Sequence, residues 1–130
     1  MTKSLAHVLI VEDDSELLEV LKFVLEDGGY QVSVAETSAD TFEVIAAEQI
    51  DLVVLDVNLN GVSGLDIARQ LRAETSTRRL PIALHTGSNE DVIRKEFTDY
   101  DLFIAKVDDA DELLRLVATV LGEQIKEPSE

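Results

Sequence analysis

Cysteine and tryptophan are absent from the 130 residues of this chain, and basic residues are scarce. Without cysteine the chain can form no disulfide, use no thiolate nucleophile and hold no zinc ion on sulfur. Aromatic residues make up only 5% of the sequence, which argues against a stacking platform for nucleic-acid bases. The 11 Lys and Arg residues against 27 Asp and Glu leave a net charge of −16, so the surface should repel phosphate backbones and anionic lipid. Direct binding to nucleic acid or to a membrane is therefore not expected.

Long hydrophobic runs are also missing. No apolar stretch approaches the roughly 20 residues that a membrane-spanning helix needs. The first residues, Met1 to His7, lack the hydrophobic segment of a secretory signal. Hydrophobic residues still make up 45% of the chain, which is enough for a core, and the length suits one domain. We therefore expect a cytoplasmic domain at residues 1–122, followed at 123–130 by a polar tail or the start of a linker.

What the sequence does contain is a fivefold alternation of two patterns. Short apolar runs predict strands at Val8–Val11, Tyr30–Val34, Leu52–Leu55, Ile82–Leu84 and Leu102–Ile104. Apolar residues spaced by three or four positions predict helices around Leu17–Leu25, Phe42–Ala46, Leu65–Leu71, Val92–Phe97 and Leu113–Leu121. Asp14 or Ser15 is the predicted N-cap of the first helix and Asp109 that of the last, and Gly28-Gly29 is a predicted helix end. Strand–helix alternation of this kind predicts a doubly wound α/β fold with a five-stranded parallel sheet.

In such sheets, ligands bind just beyond the carboxyl ends of the strands, so the residues that follow each predicted strand matter most. These residues are Glu12, Asp13 and Asp14 after the first strand, Asp56 after the third, His85 and Thr86 after the fourth, and Lys106 after the fifth. Clustered carboxylates need a proton or a cation, and hard oxygen ligands suit Mg²⁺. A carboxylate can also attack phosphorus, and a lysine and a hydroxyl can stabilise the charge that spreads during phosphoryl transfer. The set indicates a phosphoryl-accepting site with Asp56 as the acceptor.

Two of these residues have plainer interpretations that we favour. Asp14 is better explained as a helix cap than as a metal ligand. His85 could be a catalytic base, but beside a buried strand it is better explained as a structural histidine whose hydrogen bonds are satisfied.

The ordered motifs resemble those of the receiver domain of two-component response regulators, over about His7 to Leu121. The residues that carry the resemblance are Val11-Glu12-Asp13-Asp14, Leu55-Asp56-Val57-Asn58 with Gly61, Thr86-Gly87, and Lys106. The resemblance implies a flavodoxin-like sheet with strand order 2-1-3-4-5 and helices on both faces. It also implies Mg²⁺ as the cation.

The resemblance assigns a role to each site residue. Asp56 would be the phosphoacceptor and a metal ligand, Asp13 a direct metal ligand, and Glu12 a ligand acting mainly through water. Asn58 would offer its backbone carbonyl to the metal. Thr86 and Lys106 would bond phosphoryl oxygens, and Thr86 with Phe103 would form the conformational switch. Since the Lys106 amine would pair with a group that exists only after transfer, its loss should cost little stability in the resting state.

The same resemblance implies the partners. A histidine kinase or a phosphotransfer protein would supply the phosphoryl group, and the chain would assist its own phosphorylation without being an enzyme. An effector protein or a second copy of the chain would bind the face built from the fourth helix, the fifth strand and the fifth helix. That face runs roughly over Glu90–Phe97 and Asp101–Leu121.

The chain departs from the family pattern in three places. Val107 stands where the family carries a cis-proline, and a cis bond to valine would be costly. Asn60 replaces a proline in the loop after the acceptor. The segment from Thr86 to Lys106 is about two residues shorter than usual, so the family pattern does not carry over to the fourth helix.

Three other functions share features with this sequence. Residues 56–61 match the first half of an EF-hand loop, but Ile67 stands where the bidentate Glu is needed. A haloacid-dehalogenase-type phosphatase would place its D-x-D motif after the first strand, whereas here the motif follows the third and has Asn58 in place of the second Asp. A degenerate receiver that binds a partner without phosphorylation stays open.

Overall fold

A computed structural model describes residues 6–59, 61–106 and 108–122, and in these ranges the chain forms seven strands and five helices. The strands are β1 (His7–Val11), β2 (Gln31–Ala35), β3 (Leu52–Asp56), β4 (Asn58–Leu59), β5 (Val62–Ser63), β6 (Ile82–Thr86) and β7 (Leu102–Ala105). The helices are α1 (Ser15–Asp27), α2 (Ser38–Ala47), α3 (Gly64–Ala73), α4 (Glu90–Arg94) and α5 (Ala110–Val120). The predictions made for Asn60, Val107 and the tail at 123–130 lie outside the described residues.

Five of the strands form one parallel sheet in the order β2-β1-β3-β6-β7. Since β6 and β7 are the fourth and fifth strands of that sheet, the predicted order 2-1-3-4-5 is confirmed. The sequence did not predict β4 and β5, which pair antiparallel in a short hairpin directly after β3. This hairpin and the strand before it replace the helix–loop–helix that an EF-hand would require.

The sheet separates two hydrophobic cores, because successive residues of a strand face opposite sides. Leu9 and Val53 pack on the side of α3 and α4, with α2 at its margin. Their neighbours Ile10 and Val54 pack on the side of α1 and α5. Every residue of β1, β3 and β6 is buried, which explains why these strands read as continuous apolar runs in the sequence. Helices on both faces are thereby confirmed.

The helix ends follow the predicted signals. The Asp14 side chain accepts from the backbone N–H groups of Glu16 and Leu17, and so caps α1. Asp109 caps α5 in the same way. Gly29 has φ of 99°, a conformation that glycine adopts without steric cost, and it ends α1. Helix α4 is five residues long, the short fourth helix that the spacing of Val92, Ile93 and Phe97 predicts, although it ends at Arg94 and does not reach Phe97.

At the amino-terminal end of the sheet, the Arg72 side chain connects several segments, a role that sequence analysis did not predict. Arg72, near the end of α3, donates to the carbonyl oxygens of Leu80 and Asp99 and to the Asp101 carboxylate. The same Oδ2 atom of Asp101 accepts from the Ile82 N–H at the start of β6. Arg72 thus ties α3 to the segments that lead into β6 and β7.

Candidate functional site

The site is built where the parallel strands end. Because the carboxyl ends of parallel strands meet at one edge of the sheet, the residues that follow β1, β3, β6 and β7 are brought together there. Of these, Glu12 and Asp13 follow β1, Asp56 closes β3, and Lys106 follows β7.

Three carboxylates form the centre of this edge and are called the carboxylate cluster below: Glu12, Asp13 and Asp56. One oxygen of each lies within 4.8 Å of the others. Glu12 is 1% exposed and Asp56 3% exposed, whereas Asp13 is partly exposed. The Glu12 Oε1 atom is buried and has no hydrogen-bond partner among the described residues. Three hard oxygen donors with unused bonding capacity fit a divalent cation such as Mg²⁺.

The protonation of Glu12 reflects its burial beside a second carboxylate. Burial raises the pKa of Glu12 from 4.5 to about 7, and the neighbouring Asp56 carboxylate adds to the rise. A hydrogen bond from the Asp14 N–H and the charge of Lys106 act in the opposite direction. Near neutral pH and without a metal, the Glu12 carboxyl group is therefore protonated for part of the time.

Lys106 supplies the one cation that the described residues bring to the cluster. Its Nζ atom lies 3.4 Å from Asp56 Oδ1 and 3.9 Å from Glu12 Oε1. The amine therefore has two carboxylate partners before any phosphoryl group is attached. The backbone holds Lys106 in place as well, since its N–H donates to the Thr86 carbonyl at 2.9 Å.

Asn58 and Thr86 lie at the same edge. The backbone N–H of Asn58 donates to Asp56 Oδ1 at 3.2 Å, which fixes the orientation of that carboxylate. Thr86 is 5% exposed, and its Oγ1 accepts from the Ser88 N–H at 3.0 Å. The hydroxyl hydrogen of Thr86 remains available to donate, because the bond to Ser88 uses only an acceptor lone pair.

Phe103 lies on β7, half-buried on the α3 and α4 side of the sheet. Its ring centroid is 6.3 Å from that of Tyr100, within the range of aromatic contacts. The Tyr100 hydroxyl donates to the Glu90 carboxylate in α4. A physical connection therefore runs from Phe103 through Tyr100 to α4, and sequence analysis did not identify Tyr100 as part of it.

His85 is buried, as expected for a structural residue, but the prediction that its hydrogen bonds are satisfied is wrong. It is 4% exposed, and its Nδ1 atom has no hydrogen-bond partner among the described residues. Burial lowers the pKa of His85, and the positive charge of Lys106 lowers it further. The ring is therefore neutral at pH 7.

Gly64 packs closely against the backbone of Asp56, the predicted acceptor, and sequence analysis missed it. A Cβ atom at this position would lie 2.0 Å from the Asp56 carbonyl oxygen, a distance no side chain can occupy. The Gly64 N–H donates to the Val57 carbonyl at 2.6 Å. The signal that could have found it is the Ser63-Gly64 pair, in which Ser63 caps α3 and glycine opens the helix.

Comparisons with known proteins agree with this arrangement. Residues 8–118 match the model of the response regulator receiver domain family, and the chain belongs to that family. The phosphate regulon transcriptional regulatory protein PhoB of Escherichia coli is 33% identical over 117 residues, which cover 88% of this chain and 51% of PhoB. The chain thus spans about half the length of the curated relatives it matches.

Two solved structures extend the likeness to three dimensions. A response regulator from Chloroflexus aurantiacus superposes with a TM-score of 0.84 at 28% identity, covering 92% of this chain and 100% of the other. The response regulator TrrA of Thermotoga maritima, solved in complex with Mg²⁺ and BeF, gives a TM-score of 0.79 at 27% identity, covering 89% and 99%. Among the described residues, no helix combines the length and the apolar character needed to cross a membrane.

Proposed function

We propose that this chain accepts a phosphoryl group on Asp56, with Mg²⁺ bound at the carboxylate cluster, as a switch in two-component signalling. The observation that carries the proposal is the convergence of Glu12, Asp13 and Asp56 on one point. Lys106 Nζ lies 3.4 Å from the proposed acceptor oxygen. This combination supplies a nucleophile, a cation site and a fixed positive charge within a few ångströms.

In the proposed transfer, an oxygen of the Asp56 carboxylate attacks the phosphorus of the donor. A new O–P bond forms as the bond from phosphorus to the leaving atom of the donor breaks, and that atom keeps the electron pair. Lys106 donates to one phosphoryl oxygen, and the free hydrogen of the Thr86 hydroxyl is directed to another. The N–H of Asn58 keeps the carboxylate oriented during the attack.

For the metal, we propose Asp13 and Asp56 as direct ligands, Glu12 as a ligand through water, and the backbone carbonyl of Asn58 as a further ligand. Bound Mg²⁺ would neutralise part of the charge that spreads over the phosphoryl oxygens. The buried Glu12 Oε1, which has no hydrogen-bond partner among the described residues, supports a polar partner at this point. TrrA was solved in complex with Mg²⁺ and BeF, which supports Mg²⁺ as the cation by similarity.

For the output, we propose that phosphorylation changes the face formed by α4, β7 and α5, called the output face below. Phosphorylation adds roughly one negative charge and three acceptor oxygens at Asp56. Thr86 moves toward these oxygens, and Phe103 turns into the space it leaves. Because Phe103 contacts Tyr100 and Tyr100 bonds Glu90, α4 responds. An effector protein or a second copy of the chain then binds the output face, and a histidine kinase or phosphotransfer protein supplies the phosphoryl group.

The test is phosphorylation by a small donor. Wild type, Asp56→Asn and Asp66→Asn are incubated briefly with acetyl phosphate, with and without Mg²⁺, and weighed by intact-mass spectrometry. Asp66 is a matched control because its side chain is 64% exposed, pairs with Arg69 in α3 and is not part of the carboxylate cluster. One phosphoryl adduct should form in wild type and Asp66→Asn, only with Mg²⁺, and none in Asp56→Asn. An adduct that survives in Asp56→Asn moves the acceptor elsewhere, and no adduct in any protein leaves a phosphorylation-independent interaction module.

A further inference from the structure

The turn between β7 and α5 carries Lys106 to the carboxylate cluster. A lysine side chain is long and flexible, so its amine is held accurately only where the backbone that carries it is fixed. A proline ring would restrict that backbone, but the sequence has no proline after Lys106. Other contacts therefore have to fix the turn.

Asp108 supplies two of these contacts, both to Ala105, the last residue of β7. Because β7 is an edge strand, its residues alternate between bonding β6 and facing away from it. The Ala105 N–H donates to Asp108 Oδ2 at 3.1 Å, and the Ala105 carbonyl accepts from the Asp108 N–H at 3.0 Å. One residue thus takes both outward-facing backbone groups of Ala105 and closes the turn around Lys106.

Contacts on either side complete the restraint on the Lys106 backbone. Its own N–H donates to the Thr86 carbonyl of β6 at 2.9 Å. On the other side, Asp108 directly precedes Asp109, whose carboxylate caps α5. The Lys106 backbone is therefore held toward β6 by its own N–H and toward the start of α5 by Asp108.

Asp108 makes these contacts as a hydrogen-bonding residue and not as a partner for the Lys106 charge. The Lys106 Nζ atom pairs with Glu12 and Asp56, and within the described ranges no ion pair joins it to Asp108. An amide oxygen accepts a hydrogen bond as a carboxylate oxygen does, so asparagine could make the same two contacts.

We propose that Asp108 is a positioning residue for phosphoryl transfer, which acts through the backbone of Ala105 to hold the Lys106 amine beside Asp56. The inference rests on the proposed function, in which this amine donates to a phosphoryl oxygen. Without the two hydrogen bonds of Asp108, the turn relaxes and the amine is less accurately placed at the moment of transfer.

Three variants separate the hydrogen bonds from the charge. Asp108→Ala removes the side-chain acceptor, Asp108→Asn keeps it, and Asp111→Ala removes an exposed carboxylate from the first turn of α5 as a control. The rate of phosphorylation by acetyl phosphate with Mg²⁺ should fall about tenfold in Asp108→Ala, because misplacing a catalytic group is costly. The other two should stay within about twofold of wild type. An equal loss in Asp108→Asn and Asp108→Ala overturns the proposal.

A second comparison asks whether Asp108 acts through Lys106. Asp108→Ala is combined with Lys106→Met, which has no amine to position. Two residues that act as one unit are not additive, so the double variant should be phosphorylated no more slowly than Lys106→Met alone. A further loss of about tenfold in the double variant shows a general structural role and overturns the proposal. If Asp108→Ala does not fold, Asp108→Glu, which displaces the carboxylate by one methylene, takes its place.

Two further measurements need no phosphoryl transfer. Amide hydrogen exchange at Ala105 should be faster in Asp108→Ala than in wild type, and Asp108→Asn should restore protection. Unchanged exchange in Asp108→Ala contradicts the role of the Ala105 hydrogen bond. In urea unfolding without metal, the stability losses of Asp108→Ala and Lys106→Met should add to less than their sum in the double variant. If wild type forms no phosphoryl adduct, the proposed function fails, and this coupling then decides whether Asp108 holds Lys106, with additive losses showing that it does not.

Discussion

Lys106 reaches across the end of β6 to place its Nζ atom 3.4 Å from Oδ1 of Asp56, although the strands that carry the two residues do not pair with each other. Since the side chain is 33% exposed, the ammonium group keeps part of its hydration while it faces two buried carboxylates. The pairing is present before any phosphoryl group is attached, and it gives the lysine a role in the resting protein.

We therefore expect Lys106→Met to lower the free energy of unfolding by about 1–3 kcal/mol without Mg²⁺, because two buried carboxylates lose their cation. Mg²⁺ should restore part of the loss. Lys95→Met, at an exposed lysine outside the site, is the control and should leave stability nearly unchanged. Denaturant unfolding with and without Mg²⁺ measures both. Equal stability of Lys106→Met and wild type in a metal-free buffer would contradict the structural pairing.

Mg²⁺ should raise the melting temperature of wild type, because a ligand that binds only the folded state stabilises it by mass action. Asp13→Asn should lose most of this increase, since it removes one of the three carboxylates of the cluster. Asp66→Asn removes the same charge from an exposed site and should keep the full response. A scan at millimolar Mg²⁺ distinguishes the variants. An identical response of all three proteins would place the metal somewhere else.

Stability without metal should depend on pH through Glu12. Its pKa is about 7 in the folded chain and near 4.5 when unfolded, so the folded state binds the proton more tightly. The associated stability is complete below pH 4.5 and is lost as pH rises through 7. From pH 5 to 8, wild type should lose on the order of 1–3 kcal/mol relative to Glu12→Gln, which has no proton to release. Urea unfolding of both proteins in EDTA tests this, and parallel stability curves would refute it.

Gly64→Ala should impair Asp56 as the acceptor although it leaves the Asp56 side chain unchanged. The new Cβ would lie 2.0 Å from the Asp56 carbonyl oxygen, so the backbone at β3 or α3 must move. We expect a loss of about 1–3 kcal/mol in stability and slower phosphorylation by acetyl phosphate. Gly87→Ala is the control, since a Cβ there meets nothing within 4 Å. Comparable phosphorylation rates in the two variants would show that the close approach does not position Asp56.

Tyr100→Phe tests the connection between Phe103 and α4. It keeps the ring contact with Phe103 and removes the hydroxyl that donates to Glu90. Beryllofluoride should still bind at Asp56, but the backbone NMR shifts it causes at Glu90–Arg94 should shrink. If the shifts in α4 are as large as in wild type, the Tyr100 hydroxyl does not transmit the change. If the shifts in wild type are confined to the carboxylate cluster, the proposed change at the output face is wrong.

The sheet could be predicted because strands that are buried on both faces are apolar at nearly every position in the sequence, as β1 and β3 are. The carboxylate cluster could be predicted for a similar reason, since parallel strands bring their ends to one edge. Gly64, Tyr100 and Arg72 escaped prediction because their roles depend on contacts that form only in the folded chain. The hydrogen bonds that the Arg72 guanidinium donates to backbone carbonyls leave no periodic pattern in the sequence. Neither does the close approach of Gly64 to Asp56. The unpartnered Nδ1 of His85 likewise appears only when its surroundings are assembled.

Because of the hydrogen bonds that Arg72 donates, the two ends of the sheet are held together in different ways. At the amino-terminal end, one guanidinium group joins α3 to the backbone before β6 and before β7, and Asp101 is shared between that group and the Ile82 N–H. At the opposite end, β6 and β7 finish among carboxylates, an ammonium group and a threonine hydroxyl whose pairing depends on charge. If a change at Asp56 moves these strands, as proposed above, we expect them to pivot about the end held by Arg72. The displacement would then be greatest at the carboxyl ends of β6 and β7.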